Sequence, residues 1–261
     1  MKTIKIHILA ATLCFAGALP VAAQQAPGPN VLVEPTFLAV VQDYSPEHKL
    51  ELAAHISMVL HQYERAIPMY EALLKTQPNR AELWAALASA YNCAEDAREA
   101  HNAADIAITL APHYPHFYIE RGIAAFRLGQ HADAVADLTH YVKAFPLIAR
   151  AHFYLGLAQA AQGDAEPARI SLLRARMLNP SLSVATEYYL GLLAADRGQI
   201  GTSRALLSKT QNAFAGSDLA ISALVAAQLQ GLDGAVAQRM RAAMHDADVR
   251  AANPPGSPAS R

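Results

Sequence analysis

Small and apolar positions recur along this chain at a fixed interval. Prolines stand at Pro78, Pro112, Pro146 and Pro180, each thirty-four residues after the one before. Alanines keep the same beat at Ala66, Ala100, Ala134 and Ala168, and so do the small residues Ala54, Ala88, Gly122 and Gly156. A fixed period of about 20–50 residues marks a solenoid of stacked supersecondary units. Within 81–114, Trp84, Leu87, Ala88 and Tyr91 fall at three- and four-residue spacing, which predicts a helix over Glu82–Cys93 with one apolar face. Asp96 is placed to N-cap a second helix running to about Leu110, which Pro112 ends. The small residue at the eighth position of each repeat is expected to let the alanine at the twentieth come close.

Repeat 149–182 follows the scheme with Leu155, Gly156, a Gly163-Asp164 turn, Ala168, Leu172, Ala175 and Pro180. Repeat 115–148 carries Tyr118, Gly122, Gly129, Ala134, Leu138 and Pro146, and repeat 47–80 carries Leu50, Ala54, Tyr63, Ala66, Tyr70 and Pro78. This pattern resembles the tetratricopeptide repeat, whose thirty-four positions read Trp, Leu-Gly, Tyr, Gly, Ala, Phe/Tyr, Ala, Pro. A fifth repeat over about 184–217 has Leu190-Gly191, Gly198, Ser203 and Leu207, offset by one residue. The resemblance implies an all-α fold, a right-handed solenoid of stacked antiparallel helix pairs. The solenoid is expected over 47–217, with C-terminal capping helices over 218–248 and a tail over 249–261. Residues 24–46 are expected to be an N-terminal tail with a short apolar capping segment. His152 and Glu187 replace the aromatic residue of the motif, Arg121 replaces the leucine before Gly122, and Tyr141 replaces a packing alanine. These departures predict looser packing in repeats three to five.

Composition supports the helical reading. Alanine supplies 56 of the 261 residues, the chain is 53% hydrophobic, and only 16% is charged. Alanine favours helix and lets helix backbones approach. Low charge with abundant apolar surface excludes a disordered chain. A net charge of −1 argues against a chain built to grip a polyphosphate backbone, which wants a strongly basic face.

The first residues read as a separate module. Lys2 and Lys5 precede an uncharged apolar run over Ile8–Leu19, then Pro20 and the small residues before Gln24. This is the pattern of a signal peptide over 1–23, cleaved after Ala23 and directing the chain to the periplasm. The run is shorter than the roughly 20 residues a membrane span needs, so no stable insertion is expected after cleavage. Cleavage removes two of the 21 basic residues and leaves 19 against 22 acidic, net −3. It also removes Cys14, so Cys93 remains alone and no intramolecular disulfide forms. Cys93 reads as a small packing residue or a redox-sensitive thiol.

Motifs for chemistry are absent. The chain has no glycine loop for phosphate, HExxH, CxxC or G-x-S-x-G. His113 and His116 straddle Pro115, and of His48, His55 and His61 only the first two share a helix face. The chain therefore reads as no enzyme, with no catalytic residues, no metal and no cofactor. Function is expected on the inner wall lined by the first helices. The resemblance implies that its ligand-facing positions include Ser89, Asn92, His116, Ile119, Ile123, Phe126, Arg127, Arg150, Phe153, Leu157 and Tyr188, with His48, Glu51, His55 and Met58 in the first repeat. At its centre Ile119, Ile123, Phe126, Phe153 and Leu157 would form an apolar slot, with Arg127 and Arg150 beside it. Either a partner's peptide with apolar side chains and an acidic group fills that slot, or the chain's own 31–41 segment or a neighbouring helix covers it. The expected role is a periplasmic protein-interaction scaffold, or else an accessory subunit of an envelope assembly or of an export apparatus for polysaccharide or outer-membrane components.

Overall fold

A computed structural model describes residues 45–214 and residue 231. The expected signal peptide, the 31–41 segment, the C-terminal capping helices and the tail all lie outside the described residues. Among the described residues there are ten α-helices, one short 3-10 turn and no strand. They fall into two compact units, one through Ser181 and one from Leu182 onward.

The first unit holds repeats one to four as helix pairs. α1 (Pro46–Val59) pairs with α2 (Tyr63–Thr76), and α3 (Ala81–Cys93) with α4 (Ala97–Leu110). α5 (His116–Arg127) pairs with α6 (His131–Ala144), and α7 (Ala149–Gln162) with α8 (Ala165–Leu178). Each helix also packs on the one before it in sequence, which is the helix-on-helix arrangement of tetratricopeptide repeats. Asp96 caps α4 as expected, its carboxylate accepting from the Glu99 amide at 3.3 Å. In the second unit α9 (Ser183–Asp196) packs on α10 (Ile200–Phe214).

Alanine does the close packing the periodicity requires. Ala54, Ala66, Ala88, Ala100, Ala134 and Ala168 are all fully buried. Beside the expected twentieth-position alanine, a leucine of the second helix meets the small residue. A Cβ on Gly122 would lie 2.8 Å from Leu138 Cγ, and one on Gly156 would lie 2.8 Å from Leu172 Cγ and 3.1 Å from the Ala168 carbonyl oxygen. The glycine therefore seats a leucine sixteen residues on, and in repeat four the alanine's backbone shares the contact.

The departures from the motif have structural compensation. Trp84 Nε1 donates to the Pro78 carbonyl at 2.8 Å, and Tyr118 Oη to the Pro112 carbonyl at 3.2 Å. His152 does the same with Nε2 to the Pro146 carbonyl at 2.9 Å, so its ring preserves the staple to the preceding proline. Arg121 forks onto Asp137 at 2.8 and 2.9 Å and reaches Asp105 at 2.7 Å, tying α5 to α6 and α4. Its charge is held above the ordinary range by the Asp137 hydrogen bonds, against the cost of burial. Tyr141 is buried, with its ring 5.1 Å from Phe145. In the second unit Glu187 is buried and accepts from Lys209.

Candidate partner-binding site

The first helices α3, α5 and α7 carry most of the expected wall residues, but their exposure differs from the expectation. Ile119, Ile123, Phe126, Phe153 and Leu157 are each 7% exposed or less. They are covered in the folded chain, and no apolar slot faces solvent at these positions. Phe126 lies edge-on to Tyr154, with ring centroids 6.0 Å apart, and beside His131 at 5.8 Å.

What the wall does bring together is a polar chain across three repeats. Asn92 Nδ2, at the end of α3, donates to the Glu120 carbonyl at 2.9 Å and to Glu120 Oε2 at 2.8 Å. Arg150, at the start of α7, donates to Glu120 Oε1 at 3.0 Å and Oε2 at 3.2 Å. Glu120 is buried and Asn92 more so, at 7% and 1% exposed. Burial pulls the Arg150 charge down, but the Glu120 carboxylate outweighs it and holds the guanidinium above its ordinary value. A half-buried pair of this kind needs its remaining lone pairs satisfied, and Asn92 supplies that bond.

Arg127 closes α5 next to this chain. Its Nη1 donates to the Asn92 carbonyl and its Nη2 to Tyr154 Oη at 3.4 Å. Both acceptors are uncharged. Arg150 is thus spoken for by a carboxylate, whereas among the described residues Arg127 donates to neutral oxygens, and the cluster Glu120, Arg127, Arg150 keeps one net positive charge.

The other expected wall residues are placed less centrally. Ser89 is half-buried on α3. His116 stacks on Phe145 with ring centroids 4.1 Å apart. In the first repeat His55 Nδ1 shares a 2.9 Å hydrogen bond with Tyr70 Oη, and Glu51 accepts from Arg80 at 2.7 and 3.0 Å. Tyr188 belongs to the second unit, where it is buried beside Tyr189, and burial pushes its hydroxyl up. Cys93 is half-buried and in no disulfide. Among the described residues no group of three or more His, Cys, Asp or Glu side chains is placed to hold a metal, and no helix is long and apolar enough to cross a membrane.

Two members of the polar chain, Glu120 and Tyr154, were not expected on the wall. Both are sixth in their repeats, one position beyond those the resemblance assigns to ligands. The available signal was a glutamate inside an otherwise apolar helix face, with an arginine thirty residues later.

A family model for the tetratricopeptide repeat matches residues 94–146 and 119–183. Over those residues the chain is built of tetratricopeptide repeats. Solved repeat structures share the fold. TTC0263, a thermophilic TPR protein of Thermus thermophilus, superposes with a TM-score of 0.54 at 22% identity, over 70% of this chain and 99% of its own. YrrB, described as a TPR protein with an unusual peptide-binding site, gives 0.54 at 18% identity, over 75% and 99%. PilW, described as a widely conserved type IV pilus biogenesis factor, gives 0.60 at 20% identity, over 81% and 95%. No curated protein matches the chain. The repeat fold is that of a protein-interaction scaffold.

Proposed function

We propose that this chain is a non-catalytic interaction scaffold of the bacterial periplasm. It holds a segment of another protein against α3, α5 and α7, and an acidic group of that segment pairs with Arg127. The observation that carries this reading is the company Arg127 keeps: its two acceptors, the Asn92 carbonyl and the Tyr154 hydroxyl, are both neutral. A guanidinium without an anionic partner is suited to bind a carboxylate in two-point geometry. The peptide-binding site of YrrB is a precedent for peptide capture on this fold.

Crosslinking in the native cells tests it, using the full chain and its Arg127→Ala and Arg127→Lys variants. Arg127→Ala is expected to weaken capture of the partner about tenfold or more, and Arg127→Lys, which keeps the charge but loses the two-point geometry, by a smaller factor. Equal capture by all three, with unchanged helix content, refutes the site. Fractionation tests the compartment: a product lacking residues 1–23 is expected in the periplasm, and an uncleaved cytosolic product overturns that assignment.

A second reading, an accessory subunit of an envelope assembly, draws on the likeness to the pilus biogenesis factor PilW. The crosslinked partners separate the two. Components of a single assembly favour the second, and a varied set of clients favours the first.

A further inference from the structure

A separate cavity of about 360 Å³ opens between α2 and α4, over α3. It shares no residue with the Arg127 cluster. Its floor is apolar: Leu74, Leu87 and Ala103 are 6%, 3% and 3% exposed. Trp84 and Tyr91, two turns apart on α3, supply aromatic walls. Glu71 and Lys75 of α2 and Glu99 of α4 also line it, so the three charged side chains lining the cavity sum to −1.

The polar tips of both aromatic residues are already committed. Trp84 Nε1 donates to the Pro78 carbonyl, and Tyr91 Oη donates to Glu71 Oε1 at 2.6 Å. Burial, that hydrogen bond and the carboxylates of Glu71, Glu99 and Asp96 all push the Tyr91 hydroxyl well above its ordinary value, so it stays neutral and the field it sits in is negative. An occupant therefore meets both ring surface and carboxylates. An aliphatic stem ending in a planar cation suits both. Arginine buries its methylenes on apolar surface, stacks its guanidinium on aromatic faces and reaches two carboxylates with one fork, which a lysine ammonium does less well.

We propose that this cavity receives an arginine side chain from a partner protein, its guanidinium lying against Trp84 and Tyr91 and paired with Glu71 and Glu99. The surface is a second point of contact, independent of the acidic group read at Arg127. It makes the chain able to grip a partner segment that carries charges of both signs at separate places.

Trp84 is the single tryptophan of the chain, so its fluorescence reports on the cavity directly. The probe is the blocked tetrapeptide acetyl-Ala-Leu-Arg-Ala-amide, titrated into the full chain, with norleucine or glutamate replacing arginine in two control peptides. The arginine peptide is expected to give a saturable change in Trp84 emission, weakened roughly fivefold or more in the Glu71→Gln, Glu99→Gln double variant. The norleucine and glutamate peptides are expected to give none. Should the double variant lose helix content, Glu99→Gln alone, at an exposed side chain, carries the comparison and is expected to weaken binding in the same direction. No saturable change with the arginine peptide overturns the proposal. Equal binding by the charge-neutralised variant or by the norleucine peptide also overturns it, since either marks a merely apolar cavity. A change in Trp84 emission with protein concentration alone assigns the cavity to a second copy of this chain and overturns it likewise. Because Arg127 takes no part, Arg127→Ala leaves this titration unchanged, and failure of either site is read separately.

Discussion

At the residue scale, one position in each repeat shows how the turn between paired helices is made. The backbone is left-handed at His61, Glu95, Gly129, Gly163 and Gly198, with φ of 58°, 66°, 78°, 91° and 73°. The first four stand thirty-four residues apart. Glycine adopts this conformation freely, whereas a side chain costs about 1–2 kcal/mol there. Repeats three and four advertise the turn through Gly129 and Gly163, and the sequence makes it legible. Repeats one and two hide the same turn behind His61 and Glu95, because the stacked pair on either side forces the conformation regardless of residue. Glu95→Gly is therefore expected to raise stability by about 0.5–1 kcal/mol, since part of the relief is offset by the freedom of glycine in the unfolded chain. Thermal unfolding followed by circular dichroism checks it, and a lower melting temperature refutes the strain.

At the element scale, the paired helices touch through a reciprocal choice of size. Gly122, Gly156 and Gly191 each face a leucine sixteen residues later, Leu138, Leu172 and Leu207. Repeat two uses Ala88 at the small position, and the residue sixteen on is Ala104, both fully buried in one core cluster. In repeat two the larger residue on the first helix is thus matched by a smaller one on the second, whereas repeat one carries Ala54 and a buried Tyr70 at these positions. In Gly156→Ala the new methyl would lie 2.8 Å from Leu172 Cγ and 3.1 Å from a backbone oxygen that cannot swing aside. A loss of about 1–3 kcal/mol is expected. Leu172→Ala alone leaves a cavity and is expected to cost about 2–4 kcal/mol. The double variant recreates the Ala88–Ala104 pairing, so its loss is expected to fall well short of the sum. Strict additivity in urea unfolding sinks the reciprocal-size account. The periodicity identified the small positions. It did not show the leucine that shares the contact, because helix spacing along the chain does not say which ridge of the second helix meets which groove of the first.

At the scale of the whole molecule, polar ties run from each first helix to the next within the first compact unit. Glu51 holds Arg80, the residue that N-caps α3, Asn92 holds Glu120 between repeats two and three, and Glu120 holds Arg150 between three and four. The Glu51 carboxyl is held below its ordinary value, chiefly by the Arg80 hydrogen bonds. Its contribution is therefore complete above the ordinary carboxylate value of roughly 4 and fades as pH falls through the depressed one. Melting temperatures of the native chain and of Glu51→Gln are expected to differ at pH 7 and to converge in acid. A gap that stays constant down to about pH 2 overturns the assignment of this tie to the ionised pair.

Sequence alone determined the repeat length, the helix pairs and the buried alanines, because each is a one-dimensional property of spacing and side-chain size. Helix ends were equally legible: Asp96 caps α4 where its position in the repeat placed it. Only the tertiary structure decided which wall residues are free to act. Ile119, Ile123, Phe126, Phe153 and Leu157 have the periodicity of a ligand slot and the burial of a core, and period by itself does not separate a face turned to a guest from a face covered in the folded chain. Arg127 and Arg150 read alike in the sequence. Among the described residues, folding set Glu120 against one and neutral oxygens against the other, since that choice depends on which side chains meet across adjacent repeats, about thirty residues apart.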